Sequence, residues 1–316
     1  MLSTMEVVYG HNSLDMHSRT VATIGAFDGI HIGHQTIIAR TTETARDQGL
    51  PSLLITFDTH PRQVLKPHEP GEMLTTLDDK LAVLAGLALD FVLVLSFRAI
   101  AKLSAADFCR QILIAKARVA HLFVGANFRF GAGGAGDPGW LRDHCAKDFA
   151  VTEVALATHD AAVVSSTAIR SLLKAGRIEK IPALMGRNIT LSGRVVRGAG
   201  RGAGLGFPTA NLELNPGIVQ PGSGVYTGYL QVKDLRLPAV INCGSNPTFN
   251  DGSFHCEAHV LDYHADLYGA EVKLELTTRL RDEATFPSPE ALSRQITDDV
   301  HRAREWFEAQ TARRES

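Results

Sequence analysis

Cysteine is scarce in this chain of 316 residues: Cys109, Cys145, Cys243 and Cys256 stand far apart, with no CxxC pair. That spacing indicates neither a zinc cluster nor a disulfide framework, and a reducing compartment fits it best. Long apolar runs are missing. No stretch approaches the ~18 uninterrupted apolar residues of a membrane span, and the first twenty residues, MLSTMEVVYGHNSLDMHSRT, hold no apolar signal region. A cytoplasmic protein without a membrane partner is expected. A basic excess is missing too. With 32 Lys and Arg against 34 Asp and Glu the formal net charge is −2, which does not suit binding through many phosphates, so nucleic acid is set aside as a partner. The dipeptide Gly-Lys never occurs, and with it goes the Walker A phosphate loop. Any nucleotide has to be held by other means.

What the chain does have is length and alternation. At 45% hydrophobic residues it can supply two cores, since domains run to about 100–200 residues. From residue 21 short apolar runs alternate with helical patterns: VATIGAF (21–27), LLITF (53–57), FVLVLSF (91–97), HLFVG (121–125) and VTEVAL (151–156). This predicts a doubly wound α/β domain on a parallel sheet. Helix starts are marked by capping-box spacing at Thr76–Asp79 and Ser104–Asp107, the first followed by Leu81, Leu84 and Leu87 at helical period. After Arg187 the period changes to two, in GVYTGYLQV, PAVINCG, HCEAHVLDY and EVKLELTTRL, as in an antiparallel sheet or small barrel. A C-terminal helix then starts at Ser288-Pro289, with Leu292, Ile296, Val300 and Phe307 on the face that should pack on the barrel. The expected domains are residues 1–186 and 187–316.

The strongest motif of the first half is GAFDGIHIGH, Gly25 to His34. A buried strand ends at the turn Asp28-Gly29 and a helix is predicted to begin near His34. Such a junction aims free N–H groups and the positive end of the helix dipole at one spot, which suits a polyphosphate. An isolated HxxH pair is more often chance, or half of a zinc site. Here no third ligand is spaced for zinc, and the pair lies at the carboxyl end of the first strand, where open α/β sheets bind ligands. The segment GAGGAG (131–136) matches GxGxxG but does not follow a buried strand into a helix, and Pro138-Gly139 comes directly after. It reads as a mobile glycine loop.

GAFDGIHIGH resembles the G-x-F-D-G-x-H-x-G-H segment of the FAD synthetase family within the HxGH nucleotidylyltransferases. In the same order TFDTHP (Thr56–Pro61) resembles that family's TFDPHP, VGANFRFG (Val124–Gly131) its VGxDFRFG, and VSSTAIRSLL (Val164–Leu173) its SSTxIRxxL. The resemblance implies adenylyl transfer from ATP to FMN. His31 and His34 would meet the ATP phosphates, and Ser166, Thr167 and Arg170 would clasp the β/γ end. Gly25, Phe27, Asp28, Gly33, Gly125, Asn127 and Arg129 would line the nucleotide and flavin sites. Read from the residues alone, SSTAIR is an N-capped helix with Ser166 or Thr167 capping and Arg170 solvated. Thr59 replaces the proline of FDPHP, and Asn127 stands where aspartate is frequent.

In the second half, LGFPTANL (205–212) resembles the G-x-PTAN motif of riboflavin kinases. The resemblance implies that Thr209 and Asn211 ligate Mg²⁺ with the nucleotide phosphates, and oxygen ligands suit that hard ion. Gly204, Gly206 and Pro208 belong to the segment that would wrap the phosphates by backbone N–H groups. NCGSNPTFN (242–250) resembles the GxxPTF segment, CEAHVLDY (256–263) resembles VExHLLDF, and the run from Leu280 resembles the closing LRxExxFxSxExLxxQIxxD. On strand HCEAHVL, Cys256, Ala258 and Val260 share one face and His255, Glu257 and His259 the other. A carboxylate on such a polar face is usually solvated; the resemblance implies instead that Glu257 is the base for the riboflavin 5′-hydroxyl. Arg281 and Phe286 would lie on the flavin side. Arg197 departs from a frequent histidine, and Ala203 from the second arginine of RGR.

Both activities together imply ATP, Mg²⁺, riboflavin, FMN and FAD as the molecules handled. The expected partners are these small molecules, and the oligomeric state is left open, a homo-oligomer included. Two rivals stand beside this reading. One is a nucleotidylyltransferase for another acceptor, because HxGH does not choose it. The other is a flavin-binding protein that kept the fold and lost turnover.

Overall fold

The runs of β-branched and aliphatic residues read from the sequence become the strands of a parallel sheet. In the computed structural model, which describes residues 5–14, 16–66, 68, 72–160, 162–198, 201–245 and 254–315, these strands are β1 (Glu6–Tyr9), β2 (Thr20–Ile24), β3 (Ser52–Phe57), β4 (Phe91–Leu95), β5 (Val119–Gly125) and β6 (Ala150–Val154). Their order is β1-β4-β3-β2-β5-β6, every pair parallel. TVATI and SLLITF are buried along their whole length, as strands covered on both faces must be. Alternate residues feed two cores. Leu53, Ile55, Leu93 and Leu95 pack with Phe108 and Leu141 on one face, while Leu54, Val92 and Val94 pack with Phe27, Ile38 and Leu84 on the other. The edge strand β1 pairs with β4 from Glu6–Phe91 to Tyr9–Val94, an element the sequence reading omits.

Two helices matter for the site. Helix α1 (Ile32–Gln48) begins two residues before His34, with His31 as its N-cap. Helix α2 (Leu77–Leu84) follows the predicted capping box, and its period ends at Leu84, so Leu87 lies in the turn beyond it. Ser104 caps its short helix as expected, accepting from the Asp107 N–H at 3.0 Å. The sulfurs of Cys109 and Cys145 meet in the first core, a pairing that their spacing does not announce. Their Cα atoms stand 7.6 Å apart, wider than the roughly 4.4–6.8 Å usual for bridged cysteines.

A short antiparallel ribbon, β7 (Thr158–His159) with β8 (Ala162–Val163), follows β6. Packing divides the chain into two units, Met1–Met73 with Leu77–Ser166, and Leu74–Thr76 with Thr167–Ser316. The second holds a closed antiparallel barrel, β9 (Ile189–Val196), β10 (Ala210–Leu214), β11 (Gly224–Val232), β12 (Leu235–Ser245), β13 (Phe254–Val260) and β14 (Glu271–Arg281), ordered β10-β13-β12-β11-β14-β9. Of the two architectures left open by the period-two pattern, the barrel is the one formed. Helix α3 (Ser166–Lys174) leads into this unit, and helix α4 (Pro289–Glu315) ends it. The Ser288 hydroxyl accepts from the Ala291 N–H, and Ala303, Val300 and Phe307 pack with Val225, Val240 and Leu261 of the barrel unit. The expected packing is met at Val300 and Phe307.

Residues 167–186 are bound into the barrel unit. Leu173, Ile178, Ile181 and Met185 are at most 1% exposed. The Leu173 carbonyl accepts from the Gly222 N–H at 2.9 Å, and the Glu179 carboxylate accepts from the Arg279 N–H at 2.7 Å. Each of those side chains contributes about 1.5–3 kcal/mol through burial. A fragment of residues 167–316 is therefore expected to unfold at a clearly higher urea concentration than one of residues 187–316, followed by Trp306 fluorescence. Equal midpoints would show that residues 167–186 add nothing to the barrel.

Candidate active sites

After β2 the chain turns sharply through Gly25–His31 before entering α1. Phe27 (φ 49°) and Ile30 (φ 39°) take the left-handed backbone beside Gly29 (φ 78°), which costs about 1–3 kcal/mol for each non-glycine residue. Burial holds them there, at 2% and 0% exposure in the core under α1. The turn ends at His31, whose Nδ1 accepts from the His34 N–H at 3.3 Å. An Nδ1 that accepts must be bare, so in the neutral ring the proton sits on Nε2. The two imidazoles stack at 3.7 Å, and a side chain on Gly33 would press the His31 ring at 3.2 Å. The glycine of HxGH is what lets the rings lie flat together. Burial, His31 and the Lys80 ammonium hold His34 well below the usual histidine range. It is neutral at pH 7, and its buried Nδ1 has no hydrogen-bond partner among the described residues.

The Ser166 hydroxyl donates to the Asp28 carbonyl at 2.8 Å, which brings the SST segment against the FDG turn. Ser166 lies inside the first turn of α3, so its hydroxyl ties the two motifs together. Arg170 follows one turn later on α3, with Nη1 3.4 Å from the Thr167 hydroxyl. Beside the turn lies a cavity of about 400 Å³, lined by Gly25 and Ala26, by Phe57, Phe97 and Phe128, and by the segment Asn127–Gly134 after β5. It opens where the chain order reverses between β2 and β5, the crevice in which open α/β sheets bind ligands. Asn127 and Arg129 are exposed at its rim, and Arg129 pairs with Asp137 at 2.6 Å. Gly125 ends β5, where an added side chain would meet Ile37 only at ordinary contact distance. The GAGGAG segment forms a tight turn closed by a Phe130–Gly136 bridge.

Lys80 is the residue of this site that sequence reasoning missed. It is 8% exposed, and its Nζ donates to the Ala26 carbonyl at 2.9 Å and the Thr56 hydroxyl at 3.1 Å. A signal was present. Lys80 stands three residues after Leu77 and four before Leu84, on the apolar stripe of its helix.

In the barrel, strand β13 has the faces read from the sequence: Cys256, Ala258 and Val260 are buried, and His255, Glu257 and His259 are half-buried. Registers on both sides give Glu257 its neighbours, Asn211 across β10 and Asn242 across β12. Residues directly opposite in an antiparallel pair share a face, so Asn211 and Glu257 stand together, and Thr209 lies just before the start of β10. Two glycines make room for this group. A side chain on Gly198 would strike the Asn211 amide, and one on Gly202 would strike the Phe207 carbonyl and then the Thr209 side chain. Asn211 is 8% exposed, and its buried Oδ1 has no partner among the described residues. Pro208 presents its carbonyl to His259 Nδ1 at 2.8 Å; a carbonyl only accepts, so that nitrogen carries the proton. Arg201–Gly204 is a helical turn, Gly204 and Gly206 are exposed, and Gly206 takes φ 86°. The side chain of Ala203 and residues 246–253, with Pro247-Thr248-Phe249, lie outside the described residues.

A cavity of about 460 Å³ opens beside Thr209 and Asn211, lined also by Arg197, Ala258, Asp266 and Tyr268, and Glu257 is not part of its lining. Arg197 lies over the Tyr268 ring at 5.0 Å. Arg281 has a different engagement. Its guanidinium grips Asp299 of α4 through Nε at 3.0 Å and Nη2 at 2.8 Å, with the Phe286 ring 5.7 Å away. The pair fastens the C-terminal helix to the end of β14.

Residues 13–168 match the FAD synthetase family and residues 185–307 the riboflavin kinase family. Fold and family matches together define a two-domain flavin-nucleotide transferase. The chain is similar to the bifunctional riboflavin kinase/FMN adenylyltransferase of Pseudomonas fluorescens, 38% identical over 95% of this chain and 97% of that one. The like-named proteins of Escherichia coli K12 and Bacillus subtilis 168 are 35% and 31% identical, over 96% and 97% of this chain and 98% of each relative. The chain belongs to the bifunctional riboflavin kinase/FMN adenylyltransferase family. Among solved structures it superposes with a TM-score of 0.86 on a chain described as a macrolide-efflux protein of Streptococcus pneumoniae. The two are 27% identical over 96% of this chain and 99% of the other. That likeness is one of fold, and the efflux description is that protein's own. No helix among the described residues is long and apolar enough to cross a membrane.

Asp299 is 2% exposed beneath Arg281. Removing one partner of a buried pair strands the other, at about 3–5 kcal/mol. Asp299→Ala is expected to destabilise the barrel unit by that amount in urea, read from Trp306 in a Trp140→Phe background. A midpoint equal to the parent's would show that the pair does not fasten α4.

Proposed function

We propose that the chain makes FMN from riboflavin at the barrel and FAD from FMN at the parallel sheet, each time with ATP as co-substrate. One observation carries the division: each fold has its own constellation, the stacked His31–His34 pair at a strained turn and the Asn211–Glu257 pair fixed by register.

In adenylyl transfer an FMN phosphate oxygen bonds to the α-phosphorus of ATP, the bond to the β-phosphate bridging oxygen breaks, and pyrophosphate leaves. The chemistry needs alignment and dispersal of charge on the leaving group. His31, whose capping bond leaves the proton of the neutral ring on Nε2, is a hydrogen-bond donor through that nitrogen. His34, kept neutral by burial, adds a second imidazole without adding a charge. Ser166, Thr167 and Arg170 are assigned the β/γ phosphates by their motif. Phe57, Phe97 and Phe128 support a flat aromatic acceptor, and thus a flavin, in the cavity beside the turn.

In the kinase site Glu257 accepts the proton of the riboflavin 5′-hydroxyl as its oxygen bonds to the γ-phosphorus and ADP leaves. The buried Oδ1 of Asn211, without a partner among the described residues, and the neighbouring Thr209 hydroxyl suit a hard divalent cation. Mg²⁺ held there would neutralise charge on the nucleotide phosphates. The substrates and products are the partners, and the cytoplasm, where ATP is made, is the proposed place.

His31→Ala or His34→Ala should slow FAD synthesis by roughly 100- to 1,000-fold, the cost of one lost oxyanion donor, with FMN synthesis unaffected. Glu257→Gln should do the reverse, lowering riboflavin phosphorylation about 100-fold or more. Flavins separated by chromatography after incubation with ATP and Mg²⁺ read both rates. Parental adenylylation in both histidine variants, or parental phosphorylation in the glutamine variant, would refute the corresponding half. Asn211→Ala should raise the Mg²⁺ concentration that half-saturates the kinase; an unchanged titration would remove Asn211 as ligand.

A further inference from the structure

A lysine on the buried stripe of a helix must be held by something worth its burial. Lys80 reaches the carbonyl of Ala26, the residue just before the left-handed Phe27, at 2.9 Å. It also donates to the Thr56 hydroxyl at 3.1 Å, and that hydroxyl in turn donates to the same Ala26 carbonyl at 3.3 Å. One carbonyl thus receives two hydrogen bonds, from α2 and from the end of β3, at the point where the turn begins. Asp28 from the turn and Asp58 from beyond β3 act on the ammonium, and the ammonium acts on His34 of α1. His31 stacks on His34, and Asp79 on the same helix as Lys80 is 7% exposed.

We propose that Lys80 is a positioning residue for adenylyl transfer: its ammonium fixes the Ala26 carbonyl, and with it the turn that aims His31 and His34. The proposal rests on the reading of those histidines as phosphate ligands. Burial brings Lys80 down to about 8, with Asp28 and Asp58 pulling the other way. The charged form therefore prevails at neutral pH and is lost as pH rises through about 8. When the charge goes, Asp28 and Asp58 lose their buried counter-ion, and His34 loses the cation that opposes its protonation. The turn is then held by weaker, neutral hydrogen bonds.

The test uses the full chain and measures initial rates of FMN adenylylation and riboflavin phosphorylation across neutral to alkaline pH. Lys80→Met keeps length and removes the charge and the donor. It is expected to lower kcat of adenylylation by roughly 10- to 100-fold, in the range that a 1 Å misplacement costs. KM for ATP and FMN should change less, and phosphorylation should stay at the parental rate. The parent should lose adenylylation on an alkaline limb near 8 that phosphorylation lacks, and Lys80→Met should lack that limb. Thr56→Val, which keeps the ammonium, should retain it. Should Lys80→Met fail to fold, the profiles of the parent and of Thr56→Val decide. A parental kcat in Lys80→Met, or a parent without the alkaline limb, overturns the proposal. If His31→Ala is crippled and Lys80→Met is not, this proposal falls alone; if His31→Ala adenylylates normally, the reading of the site falls.

Discussion

Phe27 and Ile30 occupy a backbone conformation that side chains disfavour, and they stay in it because those side chains are sealed into the core beneath α1. The dependence runs outward from there. Because the turn is tight, α1 begins at Ile32, and His31 becomes its cap. A histidine that caps through Nδ1 has a fixed ring plane and a fixed tautomer, and the next histidine of the motif stacks on it. The Ser166 hydroxyl donates to the carbonyl of Asp28 within that turn. Strain at a functional turn persists when the surroundings over-determine it, and here burial, a cap, a buried lysine and a serine all do so.

The barrel reaches a comparable precision by another route. No strained residue is needed at Glu257, because the period of a strand is two and register alone decides which residues meet. Pairing Asn211 with Glu257, and Glu257 with Asn242, places the carboxylate in the middle of three adjacent strands. Glycine then does what a turn does in the first unit. Gly198 and Gly202 make room above Asn211 and Thr209, and His259 steadies the segment by its bond to the Pro208 carbonyl.

The parts that were legible in the sequence are those written in local pattern. Strands β2 to β6, the alternation on β13 and the capped helix α4 follow from periods of two and 3.6 and from turn chemistry. Strand β1 was not legible, because EVVY is four residues at a sheet edge and half of its pattern faces outward. Helix α1 starts two residues before the position its pattern predicts, since histidine is not among the usual capping residues. The joining of residues 167–186 to the barrel was hidden as well. Their helical pattern looks like a continuation of the α/β unit, and contacts far along the chain, such as those with Gly222 and Arg279, tie them elsewhere.

Charged residues in buried places are the hardest to read, and the reason is physical. A hydrophobic residue needs no particular partner, so its burial can be inferred from its own position. A buried charge is tolerable only when specific groups meet it, and those groups come from distant segments. Glu275, 6% exposed, is met by Asn188, Gln231 and Arg236. Asp299 is met by Arg281, eighteen positions back. Lys80 is met by a carbonyl 54 residues earlier. Pattern can say only that such a residue stands on the wrong face of its element. That misplacement is itself informative: a charge on an apolar stripe marks a place where the fold must supply a partner, and at Lys80 the partner is the turn that begins the candidate active site.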